Sequence, residues 1–173
     1  MEIVRIFAAR NELFAVHYSN EKHDELKRLL LLWNDVSYLN QFLIQNKSDI
    51  PKGKTITQLV RQIIDNANEI DDTLYNLILD ESMNIDSFFK PLNNNEYKIL
   101  ELWKQKGRNN YLRIYALRID TNCYLITGGA IKFTRIMDDR PHTKKELNKI
   151  EKCRNYLLDN NVTDEESFLN FLN

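Results

Sequence analysis

Apolar and polar residues divide the chain into segments of two different periods. Residues 3–9 and 13–18 are rich in β-branched and aromatic side chains, with a polar break at Arg10-Asn11-Glu12, and they predict an N-terminal hairpin. The spacing then becomes helical. Leu26, Leu29, Leu30 and Trp33 mark a short amphipathic helix. Asn34-Asp35 reads as its stop and as the N-cap of a second helix striped by Val36, Leu39, Phe42 and Leu43. After the loop "NKSDIPKGK", Ile56, Leu59, Val60, Ile63, Ile64, Ala67, Ile70, Leu74, Leu77 and Ile78 keep one face apolar for about six turns. Asp65, Glu69, Asp71 and Asp72 fall on or near the opposite side, where a solvated helix face accounts for them better than paired carboxylates doing acid–base work.

The segment "FFKPLNNNEY", with Pro91 and three Asn, punctuates the chain. Beyond it, residues 111–119 and 122–127 predict two antiparallel strands joined at Asp120-Thr121. Strand alternation puts Leu112, Ile114 and Ala116 on one face of the first, and Arg113, Tyr115 and Leu117 on the other. Gly128-Gly129 reads as a turn or bulge at the end of the second. Two capping boxes follow, Thr143 to Glu146 and Thr163 to Glu166. Leu147, Ile150 and Leu157 stripe the helix after the first; Phe168, Leu169, Phe171 and Leu172 stripe the one after the second. Helices and hairpins segregated along the chain predict an α+β fold, a small antiparallel sheet packed with helices.

Composition narrows the function classes. A chain of 173 residues, 43% hydrophobic and 28% charged, is ordinary for one globular domain, and we expect residues 1–173 to form one. No apolar run approaches the roughly 18 residues of a membrane helix, and the start "MEIVRIFAAR" lacks a cationic leader, so a cytoplasmic protein without membrane contact is expected. Cys123 and Cys153 belong to no CxxC or Cys/His cluster, which argues against a disulfide framework or a zinc site. There is no Walker loop, and no dinucleotide pattern flanks the glycines. No nucleophile is arranged with a His in a known signature, so neither a cofactor nor a covalent hydrolase is expected.

Charge is distributed unevenly behind a net value of −1. Residues 98–154 hold 14 Lys and Arg against 6 Asp and Glu, a net of +8, and the rest of the chain carries −9. Such separation draws polyanions to one region unless the two halves neutralise each other by packing together. Arg113, Arg118, Lys132, Arg135, Arg140 and His142 are interleaved with Tyr115 and Phe133. Arg matches phosphate oxygens in pairs, Lys adds a compact charge, and the aromatics offer stacking for unpaired bases. His142, between Pro141 and a helix start, is a candidate proton-transfer group.

The order of these pieces resembles the RelE/ParE toxin superfamily, its HigB-like branch most closely. Matching elements are Phe89-Lys90-Pro91-Leu92, Glu101-Leu102, Leu112-Arg113-Ile114-Tyr115, Lys132-Phe133-Thr134 and Thr143 through Glu146. They span residues 86–158, so residues 20–85 stand as a helical N-terminal extension behind the hairpin. The resemblance implies a RelE-like sheet that binds messenger RNA on the ribosome and cuts it without a metal, and a cognate antitoxin as a second partner. It implies Arg113, Tyr115, Lys132 and His142 as the catalytic set, with Arg118, Phe133, Arg135 and Arg140 holding RNA. The long extension, the Gly128-Gly129 insertion and the "MDDRPH" spacer depart from the family pattern, and Asp138 and Asp139 bring negative charge beside the proposed site. Two readings stay open: an endoribonuclease, or a non-catalytic protein of the same fold that binds RNA or a protein.

Overall fold

The computed structural model describes residues 1–8, 12–80, 82–92, 102–133 and 140–173. Its centre is a six-stranded sheet of β1 (Glu2–Ala8), β2 (Glu12–His17), β3 (Phe89–Pro91), β4 (Trp103–Asn109), β5 (Leu112–Asp120) and β6 (Cys123–Ile131), in the order β1-β2-β6-β5-β4-β3. Helices α1 (Glu25–Trp33), α2 (Val36–Gln45) and α3 (Ile56–Leu79) lie on one face, and α4 (Pro141–Asp159) and α5 (Glu165–Leu172) lie on the other. The expected α+β class holds, but the sheet is mixed. β2 runs parallel to β6, so the N-terminal hairpin belongs to the one sheet instead of preceding it. All nine residues of β6 are buried, and its first half gains a second ladder from β2. Such a non-local parallel pairing leaves no turn signal in the sequence.

Local chemistry explains most helix starts. The Asp24 side chain accepts from the Lys27 N–H, and Asp35 accepts from Ser37 and Tyr38 as the Asn34-Asp35 signal predicts. Thr55 and Gln58 form a reciprocal box before α3. Both predicted C-terminal boxes need correction. Helix α4 starts at Pro141, a residue with no N–H to satisfy, and Thr143 lies inside its first turn with its hydroxyl donating to Arg140 O. The box before α5 is Asp164 with Ser167, one residue past the predicted start.

Two apolar layers result. Leu112, Ile114, Ala116, Tyr124 and Ile126 meet the helical stripe that includes Leu59, Ile63, Ile70 and Leu74. Tyr115, Leu117, Cys123 and Leu125 meet Ile150, Cys153, Leu157 and Phe168. Each fully buried large side chain contributes about 1.5–3 kcal/mol, enough to hold α3 in place despite its acidic outer face. Gly128 and Gly129 are interior to β6, not at its end. Tyr115 pairs with Gly128 and Ala116 with Ile126, so Thr127 is the extra residue of a β-bulge. The bulge reverses the alternation: Ile126 and Ile131 both join the α1–α3 layer, while Leu125 and Ala130 join the other.

Candidate functional site

Strand register assembles a cationic surface on the outer part of the sheet. Lys90 pairs with Lys106, Lys106 with Tyr115, and Arg108 with Arg113, so the four cations project from one face. The Lys106 ammonium donates to Leu92 O at 2.9 Å, and the Arg113 guanidinium donates to Asn110 O and Leu112 O at 2.6 and 2.7 Å. Among the described residues no carboxylate pairs with any of the four, whereas neighbouring Lys104 is bound to Glu151 at 2.7 Å. Burial, then the charges of Arg113 and Arg108, push the Lys106 pKa down; burial and Arg108 do the same to Arg113. Like charges held together with no carboxylate against them among the described residues make a local positive field that attracts anions.

The second feature lies at the other side of β5. Past Ile126 the ladder with β2 has ended, and the edge of β6 is satisfied by side chains instead. The Tyr18 hydroxyl donates to Thr127 O at 2.9 Å, Gly129 N–H donates to Glu146 Oε2 at 3.0 Å, and His142 Nε2 lies 3.0 Å from Ile131 O. The carbonyl requires Nε2 to carry the proton, which leaves Nδ1 as the acceptor of the neutral ring. The glycines permit this closeness: a Cβ on Gly128 would collide with the Glu146 carboxylate, and one on Gly129 would come within 2.6 Å of Arg113 O and 2.7 Å of Leu29.

Around that edge lies a buried network of charge. Glu25 is fully buried and holds Arg28 through two bonds of 2.7 and 2.8 Å. Lys149 bridges Glu25 at 3.0 Å and Glu146 at 3.2 Å. Burial pushes the Glu146 carboxyl above its ordinary range, against the pull of Lys149. Arg28, Glu146 and Lys149 border a pocket of about 170 Å³ whose other walls include Trp33, Tyr38, Phe42 and His142. Tyr38 is raised as well, by burial.

The residues expected from the sequence do not form one constellation. Arg113 belongs to the cationic face and His142 to the pocket. Tyr115 is 1% exposed under α4, and its hydroxyl has no hydrogen-bond partner among the described residues. Burial raises its pKa, so the phenol is held neutral. Arg118, an odd number of residues from Arg113, projects from the opposite face and is bound to Asp86 at 3.1 Å. Asp86 also accepts from the Tyr124 hydroxyl at 2.6 Å. Phe133 packs on Tyr111, ring centres 4.9 Å apart, against the α1–α3 layer. The Arg140 guanidinium is clasped by the Asp49 carboxylate, and that pair holds the Asp49 pKa below its ordinary value. Lys132 follows β6 with its N–H on Tyr111 O, and Arg135 lies outside the described residues.

Sequence reasoning missed Lys90, Lys106 and Arg108 as site residues, because three-residue β3 and polar β4 carry no strand signal from which their shared face could be read. It also missed Glu25, Arg28 and Lys149: Glu25 and Arg28 are neighbours on α1, but the bond from Lys149 to Glu25 that completes the network joins residues 124 positions apart. Glu12, Cys123 and Glu165 bring three donor atoms within 4.8 Å of one another, the only such group among the described residues. Burial and the surrounding carboxylates push the Cys123 thiol well up, which makes it a poor thiolate ligand. Comparisons with family models, curated proteins and solved structures find no match to this chain.

Proposed function

We propose that this protein binds single-stranded RNA through phosphate contacts to the face of β3, β4 and β5. The observation that carries this reading is the set Lys90, Lys106, Arg108 and Arg113, four cations on one face with no carboxylate against them among the described residues. Strand spacing of about 5 Å and a two-residue repeat of about 7 Å separate them, a grid suited to an extended chain of phosphates. Binding of this kind releases counter-ions, so affinity falls steeply with salt.

Lys90 and Arg108 are both exposed, and replacing them tests the surface without opening the core. In a titration of single-stranded RNA across several salt concentrations, Lys90→Ala with Arg108→Ala should weaken binding to all sequences alike. The slope of log affinity against log salt should fall by about 0.7 per lost contact. An affinity and a slope equal to wild type would remove this face from the function.

A second reading, a metal-independent endoribonuclease of the RelE/HigB kind with a cognate antitoxin, has its own observation. His142, with Nδ1 as a base, and Glu146, a carboxyl of raised proton affinity, line the same pocket one helical turn apart. Attack of a ribose 2′-hydroxyl on its own phosphate needs a proton acceptor and a donor, and the cationic face supplies charge to stabilise the phosphoryl oxygens.

A further inference from the structure

We infer that the pocket at the free edge of β6 takes a single unpaired nucleobase, read along its edge by the strand backbone and flanked by aromatic side chains. The inference rests on the RNA-binding reading for its source of bases, not for the pocket itself. Size sets the first limit. At about 170 Å³ the pocket is close to the roughly 150 Å³ cavity that admits benzene, so one heterocycle fits and the sugar and phosphate stay outside. The walls supply flat surfaces from Trp33, Tyr38 and Phe42.

The polar groups argue against a purely apolar ring. Both N–H and C=O of a strand residue point to the same edge, so Gly129, whose N–H meets Glu146, also turns its carbonyl away from β5. Ile131, whose carbonyl meets His142, likewise turns its N–H to that edge. Neither group has a partner among the described residues. One acceptor and one donor in line, on a rigid strand, match the alternating donors and acceptors on the edge of a base. A peptide strand is excluded as the occupant, because Tyr18, Glu146 and His142 already hold three positions of this short edge. Arg113 pairs with Ala130, a pocket residue, so the backbone of the phosphate-binding face comes within one strand spacing, about 5 Å, of the strand that borders the pocket. A strand of RNA gripped on that face can turn one base over the edge.

Trp33 in the wall gives the readout. In a Trp103→Phe background, which leaves Trp33 as the sole Trp, adding each of the four nucleoside monophosphates to the full chain should quench its fluorescence saturably for at least one. Ribose 5-phosphate should not. Phe42→Ala and, separately, Tyr38→Ala should weaken that nucleotide roughly tenfold or more, the scale of one lost base stack. Lys90→Ala with Arg108→Ala should leave it unchanged. For bases presented by a strand, an oligonucleotide with one abasic position should bind wild type more weakly than its intact parent, and Phe42→Ala should erase the difference. Saturable nucleotide binding without oligonucleotide binding would overturn the RNA reading and leave a free-nucleotide pocket. No quenching by any nucleotide, together with intact oligonucleotide affinity in correctly folded Phe42→Ala and Tyr38→Ala, would overturn the pocket and leave the cationic face standing.

Discussion

Tyr115 shows how a single residue can be read correctly and still be misjudged. Alternation places it on the face of Arg113 and Leu117, and the structure agrees. Alternation does not say what covers that face, and α4 seals the phenol with a hydroxyl that has no partner among the described residues. A buried donor without a partner costs about 1–3 kcal/mol. Tyr115→Phe should therefore be neutral or stabilising in urea denaturation and should leave RNA affinity untouched; a loss above about 1 kcal/mol would mean the hydroxyl has a partner. Parity alone could have separated Arg113 from Arg118, since five positions along a strand reverse the face. Closeness in sequence suggested one cluster where there are two faces, one of them closed by Asp86.

At the scale of elements, what a local pattern encodes was readable and what a distant partner imposes was not. The stripes of α1, α2 and α3 and the β5–β6 hairpin follow from periodicity. Strand β4, "WKQKGRN", is too polar to be recognised and is a strand because β3 and β5 flank it. The start of α4 was misplaced for a related reason: Glu146 resembles a capping residue but spends its carboxylate on Gly129, across the sheet edge. What anchors that helix start is the clasp of Arg140 by Asp49, from the turn between α2 and α3. The Asp49 side chain is 4% exposed and the Arg140 side chain 37%, so the pair is partly screened and worth about 1 kcal/mol. The folded-state pKa of Asp49 lies below its ordinary 3.8. Its stabilisation is thus complete above that value and is lost as pH falls through the folded pKa. Asp49→Asn should lower the urea midpoint at pH 7, and the gap to wild type should close in acid. Equal midpoints at pH 7 would show that the clasp anchors nothing.

For the whole molecule, the opposed charges of the two halves are resolved in both of the ways open to them. Arg118 with Asp86, Arg140 with Asp49, and Lys149 with Glu25 are pairs between the basic segment and the rest, so packing consumes part of the asymmetry. Lys106, Arg108 and Arg113 meet no carboxylate among the described residues and are joined by Lys90 from the acidic part of the chain. On the proposed reading the cationic face alone accounts for RNA binding, and the ribonuclease reading requires in addition that His142 move a proton. His142→Gln separates the two. With the purified chain and a messenger RNA it should slow cleavage by about 10² or more, the scale of losing a general acid or base, and leave affinity near wild type because the cations survive. Inducing the wild-type chain in growing cells should arrest growth and shorten messages, and His142→Gln should relieve both. Normal growth with abundant, folded wild-type protein would sink the ribonuclease reading. The RNA-binding reading would outlive that result, since the salt slope depends on the cationic face and not on His142.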